Sequence, residues 1–91
     1  MVDSQLYQRE KNFSQLGDIQ KQSTTRYQVK CTENHVQYTV THIQNGQAVS
    51  DQMDVVGLNA ITAQMILEFL YENAVSIQQW KDVLLDLIAK V

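Results

Sequence analysis

The chain predicts an α+β, two-layer domain: a three-stranded antiparallel β-meander covered by a C-terminal α-helical hairpin, with an N-terminal arm. Three observations carry this. From residue 26 to 56 polar and apolar residues alternate with a period of two, and the apolar ones are mostly β-branched or aromatic, as in half-buried strands. Asn45-Gly46 falls between two such runs, and Asn-Gly favours the type I′ turn, whose central residues both need φ > 0. After residue 60 the apolar spacing becomes three and four, which is helical.

The strands are expected at about 26–31, 35–43 and 48–56. Tyr27, Val29 and Cys31 alternate with polar residues in the first, Val36, Tyr38 and Val40 in the second. Val49, Met53 and Val55 share one parity in the third. A two-residue turn at Asn45-Gly46 sets the register by counting. His42 falls opposite Val49, Val40 opposite Asp51, Tyr38 opposite Met53 and Val36 opposite Val55. A two-residue turn at Glu33-Asn34 puts Cys31 opposite Val36, Val29 opposite Tyr38 and Tyr27 opposite Val40. A slip of one residue would mix the faces, so turn and pattern agree. The sheet then has one apolar and one polar face and needs one covering layer.

Two helices, at about 60–72 and 77–90, supply that layer. Asn59 is the expected N-cap of the first and Asn73 its C-terminal stop. Ile61, Met65 and Phe69, with Ile66 and Leu70, recur along it at helical spacing. Ser76 with Gln79 three residues on reads as a capping box for the second. Ile77, Trp80, Leu84, Leu87, Ile88 and Val91 form its stripe. The connection through Ala74 and Val75 is short, so the helices fold back on each other. Residues 26–91 thus form a single α+β domain.

Residues 1–25 are rich in Gln and Ser, and two readings of them stay open. One is a weak helix with Leu6, Phe13 and Leu16 on a stripe, capped by Asp3 or Ser4 and ended by Gly17. The other is a loosely ordered arm that docks late.

The helices carry more apolar surface than three strands can cover. Leu67, Leu70 and Tyr71 lie beyond the covering face of the first, and Val83 and Leu85 beyond the main stripe of the second. Trp80 anchors the core or an interface. A helix apolar most of the way round is buried on most sides. The N-terminal arm covers part of the excess, and a second copy of the chain covers the rest. Leu67, Tyr71, Trp80, Val83 and Leu85 are therefore the interface candidates, and a homodimer the expected partner, with an unidentified protein partner as the other candidate.

Composition narrows the remaining classes. Of 91 residues, 44% are hydrophobic and 19% charged, which is globular, and the net charge is −3. No segment is rich in Lys or Arg, so the footprint of a nucleic-acid binder is missing. No apolar run approaches the roughly 20 residues that span a bilayer. The start, "MVDSQLYQREKNF", lacks the apolar core of a secretory signal. A cytoplasmic location without a membrane partner is expected. The glycines are isolated and build no phosphate-cradling loop, so no cofactor is expected.

Candidate chemistry is sparse. His42 and Asp51 fall diagonally on the inward parity, and a His oriented by a carboxylate begins a general-base site. A small hydrolase or transferase is thus an alternative function, set against both groups being simply solvated. Cys31 and His35 flank the first turn, but zinc wants three or four ligands, and a core Cys is the plainer reading. Arg26 and Lys30 sit on the mixed-charge polar face, where weak nucleic-acid binding is a further alternative. No catalytic, cofactor or metal residue is assigned. The leading expectation is a small non-enzymatic protein-interaction or regulatory module, dimeric in action.

From "RYQVKC" through "KDVLLDLI", residues about 26–89, the chain resembles a family of short, uncharacterised proteins from anaerobic Gram-positive bacteria, a domain of unknown function. The likeness rests on "YTVTHIQNGQAVSDQMDVVG" and "AQMILEFLYENAVSIQQWKDVLLDLI". In the second, "FLYENAVSI" is similar to the family's "LLYDNEVSP"-type junction, with Ile77 where proline is common. The resemblance implies a small cytoplasmic bacterial protein. It implies no activity and no site residues.

Overall fold

A computed structural model describes residues 5–13, 22–33 and 35–90. Strands β1 (Gln5–Phe13), β2 (Ser23–Cys31), β3 (His35–Gln44) and β4 (Gln47–Val56) form one antiparallel sheet in the order β1-β2-β3-β4. Helices α1 (Ala60–Glu72) and α2 (Trp80–Ala89) follow. The α+β class holds, with four strands where three were expected.

The added strand corrects the reading of the N-terminal arm. Gln5–Phe13 is neither helix nor loose arm but an edge strand paired with β2, from Gln5 opposite Cys31 to Phe13 opposite Ser23. Its inward positions are Gln5, Tyr7, Arg9, Lys11 and Phe13, so two of the five are cations. The Arg9 guanidinium lies 4.1 Å from the centre of the Tyr71 ring, and Lys11 Nζ lies 4.6 Å from it. Both are in cation–π range. Arg9 Nη1 also donates to both carboxylate oxygens of Glu68, at 2.6 and 2.9 Å. Long cationic side chains thus do what apolar residues do on an inner strand. Asp3, Ser4, Leu16 and Gly17, which the helical reading used, lie outside the described residues.

The remaining sheet follows the counted register. Cys31, Val29 and Tyr27 face Val36, Tyr38 and Val40. Val36, Tyr38, Val40 and His42 face Val55, Met53, Asp51 and Val49. At the β3–β4 turn Asn45 has φ 55° and Gly46 φ 75°. A β-carbon on Gly46 would meet nothing within 4 Å, so the backbone conformation alone asks for glycine there.

One face of the sheet carries the helices. Tyr27, Val29, Val36, Tyr38 and Val40 pack under Ala63, Ile66, Leu67, Leu70, Val75, Trp80 and Leu84. α1 lies over β1 and β2, and Trp80 and Lys81 of α2 reach Asp51 on β4. Two tyrosines bolt the layers together. Tyr27 Oη donates to the carbonyl of Val75 at 2.8 Å, and Tyr38 Oη to that of Ala63 at 2.9 Å. Both phenols are buried, and each bond satisfies a polar group that would otherwise be costly to enclose.

The caps match the sequence in α1 and not in α2. Asn59 Oδ1 accepts from the Thr62 amide at 2.8 Å. α2 begins at Trp80 rather than near residue 77, and Gln79 at its N-cap makes no side-chain capping bond. A turn comes first, in which the amides of Gln79 and Trp80 both donate to the Ser76 carbonyl.

The C-terminus of α1 is a Schellman motif. The Val75 amide donates to Leu70 O and the Ala74 amide to Tyr71 O, each at 3.1 Å. Ala74 occupies the left-handed position, at φ 48°. That conformation costs a residue with a β-carbon about 1–2 kcal/mol, partly offset by the extra freedom glycine has when unfolded. Ala74→Gly is expected to stabilise the fold by about 0.5–1 kcal/mol, read as a higher urea midpoint at unchanged slope.

Candidate functional site

The inward face of α1 is Ala63, Ile66, Leu67 and Leu70. Its outward face is not wholly polar. Ile61 is 74% exposed, Met65 67% and Phe69 41%. They recur every four residues and form one ridge along the helix. Beside the ridge, between the helices, runs an open groove of about 300 Å3 lined by Thr62, Met65, Ile66, Phe69, Leu87 and Lys90. Ile66 and Leu87 belong to the core or pack against it, so the groove is the upper surface of the core itself.

The five interface candidates fall elsewhere. Leu67 and Trp80 are buried under the helices and are core. Tyr71 is half-buried, held by Arg9 and Lys11 and edge-on to Tyr27, with ring centres 6.5 Å apart. Val83 is half-buried against the core. Leu85 is 55% exposed, but five residues before Lys90, about 140° round the helix, so it points away from the groove. The exposed apolar surface of the helices lies at Leu85 and, on α1, at Ile61, Met65 and Phe69. Their four-residue spacing was visible. Which apolar face of α1 turned inward was not.

His42 and Asp51 are not brought together. Asp51 Oδ2 accepts from the Trp80 indole at 3.2 Å, and Asp51 Oδ1 lies 3.0 Å from Lys81 Nζ. Lys81 foremost holds the Asp51 carboxyl below the usual carboxylate range. His42 Nδ1 instead meets Thr25 Oγ1 at 3.3 Å, beside a recess of about 200 Å3 lined also by Phe13, Ser76 and Ile77. A carboxylate engaged by an ammonium and an indole does not orient an imidazole.

The other candidates are equally occupied. Cys31 is buried in the core, and that burial pushes its thiol up. His35 Nδ1 lies 3.0 Å from Thr32 Oγ1. No three His, Cys, Asp or Glu side chains converge among the described residues. On the open sheet face Arg26 Nε donates to Glu10 Oε2 at 2.9 Å and Gln28 donates to Gln8. Among the described residues no helix is long and apolar enough to cross a membrane.

Among the described residues these features define a class: a one-sided four-stranded sheet roofed by two helices, with an apolar ridge and groove left open on the roof. No family model matches the chain, and neither a curated protein nor a solved structure does.

Proposed function

We propose that this chain is a small non-enzymatic protein-interaction or regulatory module of the bacterial cytoplasm that works as a homodimer joined through the roof. The observation that carries the reading is the ridge of Ile61, Met65 and Phe69, facing solvent on a helix whose opposite face is already buried. Each large apolar side chain taken out of water contributes about 1.5–3 kcal/mol. Several large apolar side chains gathered on one exposed face, beside an apolar groove, are the kind of surface that binding sites use. A second copy suits this one because the ridge is evenly spaced about Met65. A two-fold axis through its middle sets each ridge against the other copy's, the self-complementarity an isologous dimer requires.

Met65→Glu tests the reading. The side chain is exposed, so the fold is expected to survive, with unchanged far-ultraviolet circular dichroism and urea midpoint in the monomeric range. Size-exclusion chromatography with light scattering should give a dimer for the wild type at micromolar concentration and a monomer for Met65→Glu. A monomeric wild type, or a variant that dimerises as before, would overturn it.

A further inference from the structure

We infer that the two copies pair through antiparallel α1 helices, with Met65 on the two-fold axis and Glu72 of each copy against the partner's Lys90; this deepens the dimer reading and rests on it. Ile61, Met65 and Phe69 are evenly spaced, so Met65 is the midpoint of the ridge. In an antiparallel pair Met65 meets its own copy, and Ile61 meets the partner's Phe69. Ridges of every fourth residue interdigitate when two helices cross at about −50°, and methionine at the crossing adapts its unbranched chain to the fit.

Charge chooses the direction. Glu72 lies three residues beyond Phe69 on the same exposed face, at the C-terminal end of the ridge. Lys90 shares the groove with Thr62, at the N-terminal end of α1. An antiparallel pair therefore sets each Glu72 near the partner's Lys90. A parallel pair would set Glu72 on Glu72 and carry each Lys90 to the far side of the axis, away from any Glu72. Within one copy Lys90 is held by Asp86, at 3.1 Å in a widely exposed pair four residues apart. Such pairs are weak, so Lys90 is available to a better partner. Lys11 lies on the Tyr71 side of α1 and does not oppose the approach.

Cysteine pairs read the geometry directly, because Cys31 is buried and the wild type supplies the blank. Met65→Cys should form a disulfide-linked dimer on mild oxidation. Ile61→Cys and Phe69→Cys, joined by a short bismaleimide, should link when mixed and not when each is alone. Lys90→Glu should raise the dissociation constant about two- to five-fold, and adding Glu72→Lys should restore it. If light scattering shows a dimer but Ile61→Cys links to itself, the pairing is parallel and this inference alone falls. A dimer that no cysteine pair links uses another surface. A wild-type monomer ends the dimer reading as well, and so does a residue-65 thiol shielded within that monomer, since the chain then covers its own ridge.

Discussion

Replacing Trp80 with alanine is expected to lower the unfolding free energy by about 3–5 kcal/mol. A small domain holds about 5–15 kcal/mol in all, so the variant should sit near the edge of folding. Trp80 is fully enclosed, the largest such side chain in the core. It is also the first residue of α2, and its indole donates to Asp51 on β4. Truncation opens a cavity between α2 and the sheet that neighbours on regular elements cannot collapse to fill. Trp80→Phe separates the two contributions, keeping a ring while losing the bond to Asp51, and should cost clearly less. Urea unfolding followed by far-ultraviolet circular dichroism measures both. A loss below about 0.5 kcal/mol for the alanine variant, the level of an ordinary surface change, would contradict the enclosure of this side chain.

Alkali is expected to destabilise the protein between about pH 10 and 12, and Tyr27 is a principal cause. Its phenol is enclosed and bonded to the Val75 carbonyl. Burial pushes its pKa from 10.0 up to about 12. Below pH 10 folded and unfolded chains both hold the phenolic proton, and stability is unaffected. Between 10 and 12 the unfolded chain releases a proton that the folded chain keeps, so unfolding is drawn forward as pH rises. For Tyr27 alone the full loss is roughly 3 kcal/mol. Tyr38, enclosed under α1, is pushed in the same direction, chiefly by burial. Tyr27→Phe removes the proton and should flatten the pH dependence of the urea midpoint, at a cost near neutrality of about 1 kcal/mol for the lost hydrogen bond. Phenolate absorbance complete while the circular dichroism is still native would contradict the account.

Local chemistry made the two hairpins legible. A two-residue turn leaves no freedom in counting, and at Asn45-Gly46 the residue types demand the positive φ values found. Once the turn is placed, period-two patterning has to agree with it, and from Cys31 to Val56 it does. Asn59 and Asn73 bounded α1 for a similar reason, since each side chain bonds to backbone within four residues.

β1 was hidden because its inward positions do not look like a strand's. An edge strand over the flank of a helix can use arginine and lysine stems, provided an aromatic ring and a carboxylate receive their charges. Tyr71 and Glu68, about sixty residues along the chain, do so. Charged residues also suit an edge, because they discourage pairing with other chains. No local window contains both halves of that arrangement. The His42–Asp51 idea failed for a related reason. Parity places the two residues diagonally, but the competition for Asp51 comes from Trp80 and Lys81 on a helix whose approach no strand pattern encodes.

The sequence by itself determined strand register, the type I′ turn and the ends of α1, because each depends on residues a few positions apart. Only the tertiary structure decided which side of α1 faces the sheet. Apolar residues nearly encircle that helix, so its periodicity supports two orientations almost equally. Ala63 over Tyr38, Tyr71 against the Arg9 and Lys11 cations, and Glu68 against Arg9 chose between them. Ile61, Met65 and Phe69 were thereby turned outward.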